Sequence, residues 1–337
     1  MATPQHESQP NPGLIFDIIN RYQQTAAFAA AIELEICTHI ADGAATAAEI
    51  AKRAGASEKG TRVLCDYLTI MQLLTKSGDT YGLTPTAAVF LNKRSPAFMG
   101  GAMKFLLDDR VAGNFRDIAA LVRHGGSIGE ATVSPDNDVW VEFARSMVPI
   151  VGMGAKLAAA AVARPGETIK VLDIAAGHGM FGIEVALANP QASIVGLDWA
   201  AVVEVASENA QKMGIGNRYS TIAGDAFKVD LGSGYDLVLL PNFLHHFSAE
   251  ANVALLKRVR AAMNPGGRVA TVEFVPNEDR VTPPAAASFA MQMLGGTPHG
   301  DAYTLAEYQK MFGAAGFGES SMQDLTPTPQ RLIVTGY

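Results

Sequence analysis

From Thr168 to Tyr337 the chain alternates short apolar runs with longer segments whose apolar residues recur at helical spacing. The runs IKVLDIA, ASIVGLD, YSTIAGDA, YDLVLLPN, GRVATVEFV and QRLIVTGY read as strands. Between them FGIEVALANP, AAVVEVASENAQKMG, AEANVALLKRVRAAMNPG and TLAEYQKMFGAAGF read as helices. Strands alternating with helices of this length build right-handed βαβ units, so the pattern predicts an α/β fold with a doubly wound, mostly parallel sheet. Ligands gather at the carboxyl ends of such a sheet, where the strand order reverses.

The first third of the chain has a different rhythm. Residues 14 to about 40 are alanine-rich with helical periodicity, which predicts one or two packed helices. In the stretch that follows, Thr46 and Glu49 have capping-box spacing, Gly55 ends a helix, and Ser57 caps the next. LLTKSGDTYGLTP then predicts two short strands around an SGD turn. Helix, turn, helix and wing together predict a mainly helical winged-helix domain over residues 12–100. Residues 101–165 form a helical linker, broken near RHGGSIGE, and residues 166–337 form the α/β domain.

Winged helices bind DNA or pack against protein. In the second helix Lys59 and Arg62 are offset by Glu58 and Asp66, the formal net charge is -7 and the pI is near 5.5. Binding nucleic acid needs clustered cations, so the packing reading is preferred and no nucleic-acid partner is expected. No segment has about 18 uninterrupted apolar residues and the first residues lack a leader pattern, so a cytoplasmic protein without membrane contact is expected. Cys37 and Cys65 lack metal-ligand spacing, and neither a disulfide nor a metal site is expected.

Chemistry concentrates in VLDIAAGHGMFG. Strand, glycine turn and helix leave backbone N–H groups facing a ligand that missing Cβ atoms allow to come close. GHGMFG, ending at Gly182, also fits the dinucleotide pattern G-x-G-x-x-G, so a nicotinamide-dependent oxidoreductase is one reading. Asp198, ending the second strand, suits the ribose of any adenosine cofactor. Asp225 in GDAF suits an adenine amino group, with Phe227 beside the ring. Asp173, just before the turn, opposes a pyrophosphate but not a cofactor carrying positive charge.

These ordered motifs, LDIAAGHG, GLD, GDAF, LHHF, MNPGGRV, VEFVP and AGF, resemble those of the class I S-adenosylmethionine methyltransferases, within them the two-domain small-molecule O-methyltransferases. The resemblance covers nearly the whole chain and implies a Rossmann-like catalytic domain, a winged-helix dimerisation domain, a homodimer and S-adenosylmethionine as cofactor. Carried over residue by residue, it implies cofactor contacts at Asp173, Ala175, Gly177, Gly179, Asp198, Trp199, Gly224, Asp225, Ala226, Phe227, Pro241 and Asn242. His245 matches the family's general base, a role that suits an imidazole whose ordinary pKa is about 6.5. Glu273 matches the glutamate that orients it. Trp140, Phe143, Met147, His246, Met291 and Met293 are expected to line the acceptor pocket. Two departures stand out: Ala175 replaces a frequent glycine, and Ala302 occupies the place of a second family glutamate. The second leaves open an S- or N-methyltransferase acting mainly by positioning, while a ligand-sensing winged-helix regulator remains the reading from another class.

Overall fold

The computed structural model describes residues 11–107, 109–128 and 139–337. It divides into two compact units, residues 1–107 and 108–337. The expected linker is therefore shared, its first residues belonging to one unit and the remainder to the other. Within RHGGSIGE a helix ends at His124, and residues 129–138 lie outside the described residues.

The first unit contains helices α1 (Gly13–Glu33), α2 (Ile36–Ala41), α3 (Ala47–Ala54) and α4 (Glu58–Ile70), strands β1 (Leu74–Ser77) and β2 (Thr80–Leu83), then α5 (Pro85–Phe90) and α6 (Gly100–Leu106). The local signals act where the sequence places them. Thr46 and Glu49 close a capping box, Gly55 ends α3 at φ +64°, and the Ser57 hydroxyl accepts the N–H of Gly60. β1 and β2 pair antiparallel around the SGD turn. Ile36, Ile50, Cys65, Leu68 and Leu74 are buried together as the core of the unit. Four of its cations are paired, Arg62 and Lys76 with Asp66, Lys93 with Glu35, and Arg94 with Asp42. Along α1, by contrast, Leu14, Ile15, Phe16, Ile18, Ile19 and Tyr22 are each more than half exposed.

The second unit opens with α7 (Asp109–Ala112), α8 (Ile118–His124) and α9 (Val139–Val162). It continues with β3 (Lys170–Ile174), α10 (Met180–Ala188), β4 (Ser193–Asp198), α11 (Ala200–Lys212), β5 (Tyr219–Ala223), β6 (Tyr235–Pro241), α12 (Ala249–Ala262) and β7 (Met263–Glu273). Helices α13 (Pro284–Ala287), α14 (Phe289–Gly296) and α15 (Leu305–Ala314) precede strands β8 (Ser320–Asp324) and β9 (Arg331–Gly336). The sheet order is β5-β4-β3-β6-β7-β9-β8, parallel through β7, with β9 antiparallel to both β7 and β8.

Alternation along the strands sorts side chains into two layers. Leu172, Val238 and Leu240 pack on one face with Leu255, Val259, Tyr308 and Phe312 of α12 and α15. Val171, Leu237 and Leu239 pack on the other with Ala155, Ala158, Phe181 and Ile183 of α9 and α10. Both faces are covered, which is why these strands read as continuous apolar runs. Residues 140–162 of α9 are long and apolar enough to cross a membrane by length and composition, the one such helix among the described residues, and α9 packs along α10. The chain leaves β3 toward β4 and β5, then returns to place β6 on β3's other side, so the glycine turn after β3 sits at the switch point.

Candidate active site

Five strand ends meet above the switch point. Ala175, Gly177 and Gly179, following β3, have φ of +54°, +56° and +77°. Two glycines suit that conformation, whereas Ala175, where the resembling family often has glycine, adopts it at a steric cost. Asp198, ending β4, accepts the N–H of Gly177 at 2.8 Å and that of Trp199 at 2.7 Å, tying the glycine turn to the second strand. Asp173 accepts the N–H of Gly182 at 2.9 Å through Oδ2, while its buried Oδ1 has no partner. Gly182 leaves room for this carboxylate, since a Cβ there would stand 3.0 Å from Asp173 Oδ2 and 2.7 Å from Ile194.

Burial pushes the Asp198 carboxyl up to about 6 against the two hydrogen bonds it receives. Burial likewise pushes Asp173 up to about 7, opposed by the Gly182 N–H and reinforced by the charge on Asp198. His178, inside the turn, is held down to about 4 by burial, and its Nδ1 accepts the N–H of Met180. The imidazole is neutral and structural.

After β5, Gly224 at φ +143° turns the chain so that Asp225 Oδ1 accepts the N–H of Phe227 at 2.9 Å. Phe227 packs edge-on against Phe247 at 4.8 Å between ring centres, and Phe247 against Phe243 at 4.9 Å. A cavity of about 460 Å³ opens here, within the usual range for small-molecule sites. Ala175, Asp198, Trp199, Gly224, Asp225, Ala226 and Phe227 line it, joined by Phe243, His246, Phe247, Thr297, Pro298 and His299. The structure thus brings most of the expected cofactor residues to one wall. Asp173, Gly177 and Gly179 support that wall from beneath without lining it. Pro241, the last residue of β6, lines a small apolar gap with Ala158, Phe181 and Leu239. Asn242, at φ +54°, donates its N–H to Val272 and receives the Gln330 amide on Oδ1, which closes the end of β6.

His245 lies in the single 3-10 turn Leu244–His246 after β6. It is buried, with Nδ1 2.5 Å from Glu273 Oε2 at the end of β7. The other oxygen of Glu273 accepts the N–H groups of Phe243 at 3.1 Å and Leu244 at 3.0 Å. A carboxylate receiving three donors is an acceptor throughout, so Nδ1 carries a proton and Nε2 keeps its lone pair. Glu273 is fully buried rather than a solvent-facing strand end. Asn252 of α12 braces the turn by donating to the Leu244 carbonyl at 2.8 Å. Beside the pair, Phe289 stands edge-on to His245 at 4.8 Å and stacks on Phe274 at 4.2 Å.

His246 is half-buried in the cavity wall, 4.4 Å from His245 and edge-on to Trp140 at 5.9 Å. Burial first, and repulsion from His245 when that ring is protonated, hold it well below the ordinary histidine range, so it stays neutral. Trp140 also meets Phe143 at 5.5 Å and packs with Trp199, Val202 and Val205, linking α9 to the ribose side of the cavity. Met147 is half-buried on the same helix. On α14, Met291 is 50% exposed, and Met293 is buried, its carbonyl receiving the hydroxyl and N–H of Thr297. The aromatic residue of that stretch, Phe289, faces the histidine instead.

The segment where the second family glutamate would lie braces His245 through backbone. The N–H of Asp301 donates to the His245 carbonyl at 3.0 Å, and a Cβ on Gly300 would stand 2.1 Å from that carbonyl oxygen. Gly300→Ala must therefore push the histidine turn away. Displacements of about 1 Å at a reacting group cost roughly a hundredfold, so kcat should fall roughly ten- to a hundredfold while S-adenosylhomocysteine affinity, measured by calorimetry, changes little. Unchanged kcat would show that the loop does not hold His245 in a position that matters for turnover.

A family model described as an O-methyltransferase domain matches residues 108–318. The chain belongs to this family. A second model, an O-methyltransferase dimerisation domain, matches residues 16–93, in keeping with the packing reading of the winged helix. The methyltransferase is similar to the 3-hydroxy-5-methyl-1-naphthoate 3-O-methyltransferase of Streptomyces sahachiroi, 29% identical over 314 residues that cover 91% of this chain and 90% of that one. Among solved structures, a Nostoc punctiforme PCC 73102 protein assigned as an O-methyltransferase is 47% identical with a TM-score of 0.93, over 98% of this chain and all of the other. Human N-acetylserotonin methyltransferase, solved with S-adenosylmethionine, shares the fold at 22% identity and a TM-score of 0.84, over 98% of this chain and 99% of its own. The methyltransferase is an S-adenosylmethionine-dependent enzyme that methylates an oxygen of a small molecule. The oxidoreductase and regulator readings of the glycine turn are set aside.

Proposed function

We propose that His245 is the general base of this O-methyltransferase, taking the proton of an acceptor hydroxyl on Nε2 while Glu273 keeps Nδ1 protonated and the ring oriented. The observation that carries this reading is the buried 2.5 Å contact between the two side chains, with Glu273 anchored by two backbone N–H groups. Proton transfer by a positioned imidazole needs a free lone pair within reach of the hydroxyl and a pKa near neutrality. When bound, S-adenosylmethionine supplies a methyl group already activated on a sulfonium, so the chain's tasks are to position, exclude water and remove one proton.

The cavity's donor set fits that cofactor. Asp198 retains lone pairs for ribose hydroxyls, Asp225 for an adenine amino group, and Phe227 and Phe243 offer flat apolar surface. Asp173 supplies a buried carboxyl behind the glycine turn, whose ionised form a cationic methionine end would favour. The acceptor proposed is a hydroxylated aromatic ring, supported by Trp140, Phe143 and Phe289 around the histidines and by relatives named for naphthoate and phenazine substrates. Exposed apolar residues on α1 support a homodimer through the first unit, since such faces are normally covered. Light scattering should give twice the 35.5 kDa chain mass, and a particle of 35.5 kDa would refute the dimer.

The cofactor assignment predicts a pH dependence. Ribose hydroxyls donate to ionised Asp198, so calorimetric affinity for S-adenosylhomocysteine should weaken as pH falls through about 6. Stability runs the other way for these two acids: raised values in the folded state favour folding below about 4, an advantage lost as pH rises through about 6 to 7. Affinity unchanged between pH 5 and 8, or unaltered in Asp198→Asn, would remove Asp198 from the ribose.

A further inference from the structure

We infer that Arg258 is a positioning residue that sets cofactor affinity by holding the adenine-facing loop from α12. The inference rests on assigning the Asp225 loop to adenine. Between β5 and β6 the chain makes a tight turn in which the N–H groups of Lys228 and Val229 both donate to the Asp225 carbonyl, at 2.8 and 2.9 Å. That folding spends the donors of the turn and leaves the carbonyls of Ala226 and Val229 pointing outward from it. The half-buried guanidinium of Arg258 receives them both: Nη1 donates to Ala226 at 2.5 Å and Nη2 donates to Val229. The two anchor points bracket Phe227, and Ala226 and Phe227 line the cavity.

The fork geometry is what the loop requires. A planar guanidinium presents two N–H groups in fixed relation and so fixes the spacing of two carbonyls, whereas an ammonium satisfies one at a time. Without either bond, two half-buried carbonyls lose a charge-assisted partner and the loop is free to move, taking Phe227 out of contact with Phe247 and Phe243. Arg258 touches neither Glu273 nor His245 in any hydrogen bond of the structure, so its loss acts on binding and not on proton removal.

Arg218 provides a control built into the same unit. Its guanidinium also clamps carbonyls, those of Ala186, Ala192 and Asn189, but on segments that do not line the cavity. The test is calorimetric titration of the full-length protein with S-adenosylhomocysteine for Arg258→Met, Arg258→Lys, Arg218→Met and Asp225→Asn. Loss of two hydrogen bonds from a charged donor predicts a Kd about tenfold weaker in Arg258→Met, partly restored in Arg258→Lys, with Arg218→Met within about twofold of the parent. If Arg258→Met does not fold, Arg258→Lys carries the comparison. Equal Kd in Arg258→Lys and the parent, or a loss no greater than in Arg218→Met, overturns the proposal. Asp225→Asn separates the two levels: weaker binding there with unchanged binding in the Arg258 variants refutes the positioning role alone, while unchanged binding in Asp225→Asn refutes the adenine assignment and the proposal with it.

Discussion

Replacing Glu273 by glutamine is expected to lower kcat by about a hundred- to ten-thousandfold without loosening cofactor binding. Glutamine keeps the shape, and its carbonyl can still accept from Phe243 and Leu244. Its NH₂ group then faces His245, whose Nδ1 must become the acceptor. The proton moves to Nε2, the atom that has to receive the substrate proton, and the base is in the wrong tautomer. Glu273→Ala adds a separate penalty, because two buried N–H groups and an imidazole lose their partner at once. Removing one member of a buried pair costs about 3 to 5 kcal/mol, which for a unit of this size lowers Tm by roughly 10 °C. Steady-state kinetics with calorimetric S-adenosylhomocysteine binding check the first claim, and thermal unfolding of the two variants side by side checks the second. Full activity in Glu273→Gln would mean that the carboxylate only supports the turn.

His245→Ala is expected to reduce turnover by a similar factor, about a hundred- to ten-thousandfold, with S-adenosylhomocysteine affinity within about twofold of the parent. The separation follows from the geometry, since His246 lines the cavity while His245 stands behind it against Glu273 and Phe289. The residual rate should rise with pH as the acceptor ionises by itself, so acceptors with more acidic hydroxyls lose less. Turnover equal to the parent at neutral pH would show that another group removes the proton. His246 is the obvious substitute, and a collapse confined to His246→Ala would assign the base to it.

Much of this arrangement is legible in the sequence where the signal is local. Thr46 with Glu49, Gly55 and Ser57 act through neighbours a few residues away, and each caps the helix that its spacing implies. The inner strands are legible because a sheet covered on both faces needs continuous apolar runs, whereas β5, YSTIA at one edge, is half polar and largely exposed. β8 is not among them: SSMQD is polar and lies at the sheet edge, where one neighbour and partial exposure remove the demand for apolar residues. The histidine and its glutamate are 28 residues apart and meet only because β6 and β7 are adjacent, a fact that motif order conveys and periodicity does not. Arg258 has no signal at all, since a cation on a polar helix face looks like any solvated charge until the loop it holds is seen. Met291, Met293 and Pro241 are ambiguous for the complementary reason. Apolar character marks a residue for burial without saying whether it meets the core, a partner or a ligand.

The order in which the chain is made has a consequence for β7. Its partner β6 precedes it, but the strand that covers its other side, β9, is drawn from residues 331–336, after three helices and β8. On a ribosome, a chain that has emerged only through α15 holds Glu273 on a strand whose outer edge is bare, flanked by apolar Val269 and Val272. Such an edge is a template for pairing with a neighbouring nascent chain. Antiparallel insertion of β9 between β7 and β8 is therefore the step that closes the bare edge of the strand carrying Glu273 and completes the sheet.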